Sequence, residues 1–396
     1  MKSISLNSPI DLIMFLYILS LYLYNDITDK TIYCNILALL LMTLIWMKFI
    51  ITKRKLVINK LLIFQLIFII ICAFSYFIAI DPEIAISKIK TLTLIFLLML
   101  SLINYIDSYK KLRRVILAFI YSGIIVSIDI LISSDFSNLT RFGSEYGNVN
   151  SVGMGIAIGA ILCFYIILSE RKYRYSLFLA IMIVTVFLTG SRKAIIFIAF
   201  NIVLILYFRY RGSLKSKLKF IVISIAAIGV LFYLIFKVPI FYEILGERME
   251  SMLNFIIGKG TREGSIHERA VMINYGFQMF ENKPLIGYGI DNYRILFGKA
   301  FGNWTYSHNN FVELMVDTGL IGVFAYYLTH IVVLKGLFYS AKKTKYKIHC
   351  YVFISIIISY IFLSSSLIYY DSKHFSILIV LASCIIRFSK LSDSSA

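Results

Sequence analysis

The chain has 396 residues, of which 60% are hydrophobic and only 15% charged, with a mean hydropathy of +0.84. Soluble domains carry about 25% charged residues, so this composition excludes a soluble globular protein. The formal charge of +19 would suit nucleic acid, but the bases lie in loops between apolar runs, where they set membrane topology, and no nucleic-acid partner is expected.

Runs of about 17–25 apolar residues, the length that a hydrocarbon slab of about 30 Å demands of a helix, recur along the whole chain. Backbone amides inside that slab must be satisfied within their own segment, so the spans are helices. They are expected near Ile10–Tyr24, Ile32–Ile51, Leu61–Ile80, Leu92–Ile106, Val115–Ile132 and Val152–Leu168. Others are expected near Leu177–Leu188, Ala194–Phe208, Phe220–Phe236, Asn310–Leu334, Cys350–Leu367 and Phe375–Phe388. The predicted fold class is an all-α integral membrane protein of about twelve transmembrane helices. It forms a single polytopic domain over 1–396, with a large, partly helical extracytoplasmic loop at 238–307. Leu177–Leu188 and Ala194–Phe208 are short enough to be halves of a re-entrant pair. Lys2 is the lone base ahead of the first span and no small-residue cleavage site follows, so that span is expected to be retained.

Basic clusters occupy alternate loops: Lys53–Lys55 with Lys60, Lys110–Arg114, Arg171–Arg174, Arg209–Lys219 and Lys335–Lys347. The intervening loops near Asn25–Lys30, Asp81–Lys90, Ser133–Asn148 and Asp371–Lys373 hold fewer bases, balanced by acids. The positive-inside rule then places both termini in the cytoplasm. Against that rule, Arg141, Arg192, Lys193, Lys237, Arg248, Lys259, Arg262, Arg269, Lys283, Arg294 and Lys299 fall on the outer side. Neutralisation of acids in the same loop accounts for many of these. An anionic ligand such as a phosphate accounts for others, Arg192 above all, because it sits where two spans meet.

Four outer segments carry candidate chemistry. Arg141 and Asn150 bracket Phe142–Val149 ahead of a span with glycines at 153, 155 and 159, at a mouth where sugar or phosphate contacts are feasible. Thr189-Gly190-Ser191-Arg192-Lys193 is a tight outer turn in which Ser191, Arg192 and the following helix start would form an anion site. Ser265-Ile266-His267-Glu268 has the form of a capping box, opening an amphipathic helix to about Glu281 that ends before Pro284. Val271, Met272, Tyr275 and Met279 would face lipid or protein, and Arg269 in the first turn either pairs with Glu263 or Glu268 or faces an anion. A glycine-hinged turn, Gly287–Tyr293, then leads back toward the membrane. Last, Ser307-His308-Asn309-Asn310 opens a span in which Asn310, Glu313 and Asp317 share a face. His308 has the intrinsic pKa for proton transfer. Asn310 and Glu313 also read as a helix cap, and Asp317 as a structural partner for an arginine. These segments single out His308, Arg192 and Arg269, and beside them Arg141, Asn150, Ser191, Asn309, Asn310, Glu313 and Asp317; a catalytic role for the first three and a substrate-binding role for the others is what the family resemblance drawn below implies.

Cys34, Cys72, Cys163, Cys350 and Cys384 lie in or beside apolar spans without a Cys-x-x-Cys, so no disulfide or metal site is expected. Asp26 with Asp29, and Asp81 with Glu83, are outer acid pairs able to hold a divalent cation, although loop solvation and topology explain them more simply.

In order and spacing, these segments resemble the O-antigen ligase/polymerase superfamily. The resemblance rests on Arg141, Gly143 and Asn150; on Gly190, Ser191 and Arg192; on Arg269 with Pro284, Gly287 and Gly289; and on His308, Asn309, Asp317, Gly319 and Gly322. Tyr275 departs from it, since relatives often carry an aromatic slightly earlier. The resemblance implies a GT-C-like, metal-independent membrane glycosyltransferase without cofactor, in a bacterial cytoplasmic (inner) membrane. Its donor would be a glycan on undecaprenyl pyrophosphate, with Arg192 and Arg269 on the pyrophosphate and His308 as base toward the acceptor hydroxyl. A chain-length regulator and a flippase would be its protein partners. A Wzy-type repeat-unit polymerase of capsule or O-antigen and a ligase need the same motifs. A flippase or other transporter would instead place polar residues at mid-membrane depth.

Overall fold

Helices follow from long apolar stretches punctuated by polar caps. In the computed structural model, Asn59, Asp81, Asn148 and Asn309 each turn a side-chain oxygen onto the free amides of a helix that starts beside them, the role that short polar side chains fill best. The structure describes residues 9–137, 140–210, 212–257, 264–342 and 344–394, with backbone only at 227, 252, 255, 256, 264–266, 344 and 392–394. Lys2, Lys259, Arg262, Glu263 and the side chains of Ser265 and Ile266, all named above, lie outside the described residues, as do Arg211 and Lys343 within the basic clusters.

The helices are α1 (Pro9–Tyr24), α2 (Thr31–Ile51), α3 (Lys60–Ser75), α4 (Pro82–Tyr105), α5 (Tyr109–Ser133), α6 (Val149–Glu170), α7 (Tyr175–Leu188), α8 (Arg192–Tyr210) and α9 (Leu214–Lys237). Four helices, α10 (Pro239–Phe241), α11 (Glu247–Ile256), α12 (Gly264–Asn282) and α13 (Tyr293–Phe301), belong to the long loop; α14 (Asn310–Ser340), α15 (Lys347–Leu363) and α16 (Lys373–Ser394) complete the bundle. Among the described residues there is no strand, and nine helices are long and apolar enough to cross a membrane. The remaining expected spans correspond to the shorter apolar helices α1, α7 and α15. Outward-facing Leu39, Phe74, Ile132, Phe232 and Phe324 are exposed, as lipid contact requires. This is a multi-pass membrane protein.

Loops segregate to opposite ends. At one end, the Phe142 amide donates to the Leu188 carbonyl at 3.1 Å, the Asn310 amide to the Ser364 carbonyl at 2.7 Å, and the Asp81 amide to Asn292 Oδ1 at 2.7 Å. At the other end, Arg54 and Lys111 pair with Asp107, and Arg113 and Lys172 pair with Glu170. Helices α7 and α8 each run between these ends: α7 starts beside Arg174 and α8 finishes at Tyr210. Of the two readings open for these segments, spans or halves of a re-entrant pair, the structure has two separate helices; α7 packs mainly on α5 and α6, and α8 on α6 and α15.

The continuous span expected over Asn310–Leu334 is broken at Gly319, whose φ of 62° and ψ of −168° interrupt α14. A break frees amides and carbonyls that must find partners, and the Pro284–Gly289 segment supplies them. The Leu320 amide donates to the Pro284 carbonyl at 2.8 Å, while the Tyr288 and Gly289 amides donate to the Val316 and Asp317 carbonyls, both at 2.9 Å. The glycine-hinged turn of the long loop is thus a hook locked into a membrane helix.

Candidate functional site

The hook positions α12 and α13. Buried Asp317 accepts the Asp291 amide at 2.7 Å through Oδ2 and the Tyr293 amide at 2.8 Å through Oδ1, anchoring the start of α13. The Tyr293 hydroxyl then donates to the Met272 carbonyl of α12 at 2.7 Å. Met272, Tyr293, Phe297, Val312 and Val316 form a small separate core, with Val271, Tyr275 and Met279 packed on it. The apolar face of α12 therefore rests on protein, and this fixes the helix that carries Arg269.

Asn309, Asn310 and Glu313 build the turn that presents His308. Asn309 Oδ1 accepts the Phe311 and Val312 amides at 3.0 and 3.2 Å. Glu313 Oε2 accepts the Ser307 amide at 2.7 Å, and the Ser307 hydroxyl donates to the Asn309 carbonyl at 2.8 Å. Asn310 is fully buried: its Oδ1 accepts the Tyr369 and Tyr370 amides at 3.0 and 3.1 Å, and its Nδ2 donates to the Tyr327 hydroxyl at 3.0 Å. Between these bonds His308 is held at a φ of 57°, a left-handed conformation that costs a non-glycine residue about 1–3 kcal/mol. Its ring is half-buried and lies 4.2 Å, centroid to centroid, from that of Tyr306.

Arg192 enters from the turn that joins α7 to α8. Gly190 adopts a φ of 58° against the Ile244 carbonyl, which a Cβ would meet at 2.9 Å; a left-handed turn at such an approach requires glycine. Arg192 donates to the Arg248 carbonyl at 2.9 Å and Arg248 donates to the Gly190 carbonyl at 2.9 Å, so turn and loop hold each other. Arg141 donates through Nε to the Thr189 carbonyl at 2.8 Å and through its terminal nitrogen to Asn150 Oδ1 at 2.9 Å. Ser191 is buried, and its Oγ finds no hydrogen-bond partner among the described residues.

These elements make a cationic arc. Burial, then Arg248 and Arg192, push the Arg141 guanidinium down to about 10. Burial foremost, then Arg269 and Lys193, push the His308 imidazole down to about 4. Lys193 itself feels Arg269 and Arg192. The structure thus brings Arg141, Asn150, Ser191, Arg192, Arg269 and His308 to one end, and it places Asn310, Glu313 and Asp317 beneath them in bonds to main-chain donors. Lys193 and Arg248 belong to the arc as well, although the sequence suggested them only as misplaced bases. Two other suggestions resolve differently. Arg294 pairs with Asp291, whose partnership outweighs burial and raises the guanidinium; Asp81 caps α4 by accepting the Glu83 and Ile84 amides at 3.0 and 3.2 Å.

A multi-pass bundle with a loop helix pinned over a cationic arc defines a membrane protein suited to an anionic ligand at one end. Residues 177–327 match the family model described as O-antigen ligase (Wzy_C), consistent with the O-antigen ligase/polymerase superfamily. The match takes in Arg192, Arg269, His308, Asp317 and Gly319, while Arg141 and Asn150 precede it. No curated protein matches the chain.

Proposed function

We propose that the protein transfers a glycan from a lipid pyrophosphate, undecaprenyl pyrophosphate in a bacterial cytoplasmic membrane, to the hydroxyl of a second lipid-linked glycan, and so polymerises repeat units of a capsule or O-antigen. The observation that carries this reading is that the charged groups acting on Arg141, Lys193 and His308 are other cations. A pyrophosphate relieves that repulsion, and guanidiniums match its oxygens bidentately. With both termini cytoplasmic, as the basic loops favour, the arc lies at the outer leaflet.

His308 removes the acceptor proton as the acceptor oxygen bonds to the anomeric carbon. The bond from that carbon to the phosphate oxygen breaks, and the lipid pyrophosphate leaves with the electron pair, its charge held by Arg192, Arg269 and Lys193. Arg141 and Asn150 orient the donor from the α6 side. Guanidiniums and an ammonium in this place remove the need for a metal, so EDTA is expected to leave the rate of the purified protein unchanged.

The test supplies purified protein with lipid-linked repeat units alone. A ladder of longer glycans is expected, and Arg192→Ala should abolish both the ladder and retention of the lipid pyrophosphate. Product only after a different acceptor is added would favour the ligase reading, which the description of the matching family model supports. Transbilayer movement without bond formation would replace the enzyme with a flippase.

A further inference from the structure

A cavity of about 590 Å³ opens at the site end between α1, α2, α4, α6 and the loop joining α15 to α16. That volume falls within the range of about 300–1,000 Å³ typical of small-ligand sites. Its lining contrasts with the arc. Two carboxylates, Asp26 and Asp371, are balanced by two lysines, Lys90 and Lys373, so it has no net sign, and Asn25, Asn35, Thr31, Thr91 and Ser372 add neutral donors and acceptors. Tyr22, Tyr146, Tyr360 and Tyr369 supply aromatic surface. Hydroxyl-rich rings with apolar faces suit such a lining; a bare phosphate does not.

Tyr306 connects the two regions. Its ring lies against His308, and its hydroxyl, raised chiefly by burial, sits within the field of Asp26 and Asp371 of the cavity and of Arg269 of the arc. His308 therefore stands at the junction of a cationic region and a neutral, polar one. In an inverting displacement the nucleophile and the leaving group occupy opposite faces of the anomeric carbon. If the arc holds the leaving pyrophosphate, the acceptor must arrive from the cavity side.

We infer that this cavity, bounded by Asp26, Asn35, Thr91, Tyr146, Asp371 and Lys373, is the binding site for the terminal sugars of the acceptor glycan. The inference rests on the glycosyl-transfer reading for its direction. Lys373 is already tied to Asn35 Oδ1 at 3.0 Å and Asp371 to Lys88 at 2.6 Å, so the polar groups are preset.

The test uses the oligosaccharide released by mild acid from the lipid-linked glycan, free of lipid and phosphate, with the full-length protein in lipid nanodiscs. Saturation-transfer NMR should detect it on wild type and on Arg192→Ala, and Thr91→Trp, which fills the cavity, should abolish the signal. Asn35→Ala should weaken binding by about three- to tenfold, the worth of one lost hydrogen bond. As a surrogate acceptor beside lipid-linked donor, the oligosaccharide should show a raised KM and unchanged kcat in Asn35→Ala. Sugar-free polyprenyl pyrophosphate should bind Thr91→Trp as it binds wild type; if it does not, that variant is damaged and Asn35→Ala decides. No signal on wild type, or a signal indifferent to both cavity variants, would overturn the assignment. Oligosaccharide binding here without any transfer would sink the enzymatic reading and leave the sugar site standing.

Discussion

His308→Ala is expected to slow glycosyl transfer by about 10²–10⁴-fold, the usual worth of a positioned general base, while lipid pyrophosphate still binds. Rates and carrier retention measured on one preparation separate the two effects. The pH dependence gives an independent check. Burial, Arg269 and Lys193 hold the imidazole near 4, so His308 is neutral and able to accept a proton through the physiological range. Activity should be lost as pH falls through its pKa. The limb in kcat/KM, which reports the free enzyme, should lie near pH 4. The limb in kcat, which reports the complex, should lie higher, because a bound pyrophosphate cancels the field of Arg269 and Lys193 that depresses the imidazole. Coincident limbs, or wild-type transfer by the alanine variant, would remove His308 from the reaction. His308→Gln, which keeps a polar side chain but cannot carry the proton, should be as slow as the alanine variant.

What was readable in the sequence follows from range. Apolar length and loop charge are local signals, and apolar length located the nine helices long enough to cross a membrane. Arg192 and Arg269 stood out because bases on the side disfavoured by topology demand a separate cause. The partners of Asn310 and Asp317 were not readable, since these side chains serve main-chain amides of Tyr369, Tyr370, Asp291 and Tyr293, and backbone donors have no signature in residue identity. The same holds for the break at Gly319. A glycine within an apolar run reads as a packing contact, and its true complement is Pro284–Gly289, a segment of another element. Lys193 was overshadowed by Arg192: adjacent bases at a helix start look like one feature, and only the approach of α12 shows Lys193 between Arg192 and Arg269. The cavity has residues from both ends of the chain, Asn25 and Lys373 among them, so no single stretch announces it.

Gly319→Val should cost the protein both stability and activity, even though residue 319 touches neither carrier nor acceptor. Gly319 holds a φ of 62°, where a β-branched residue is strained by about 1–3 kcal/mol. Any Cβ there would overlap the Leu285 carbonyl and the Ile286 amide of the hook, adding about 1–3 kcal/mol of overpacking. Relief requires the hook to withdraw, which breaks the bonds that the Val316 and Asp317 carbonyls and the Leu320 amide make with it. Withdrawal would also pull Asp291 and Tyr293 from Asp317, release the Tyr293 contact with Met272, and leave α12 unanchored. Arg269 would then lose its place beside Lys193 and His308. A domain with about 5–15 kcal/mol of stability loses a large fraction in this way. Thermal unfolding in detergent should shift clearly downward, and the surviving folded fraction should transfer glycan poorly while Arg192 and the Gly190 turn remain intact. Asp317→Asn supplies the complementary variant, since it keeps the backbone break and weakens only the anchoring of α13. It should unfold closer to wild type and still lose much of its activity. Equal activity in Asp317→Asn and wild type would show that α12 holds Arg269 without help from the hook.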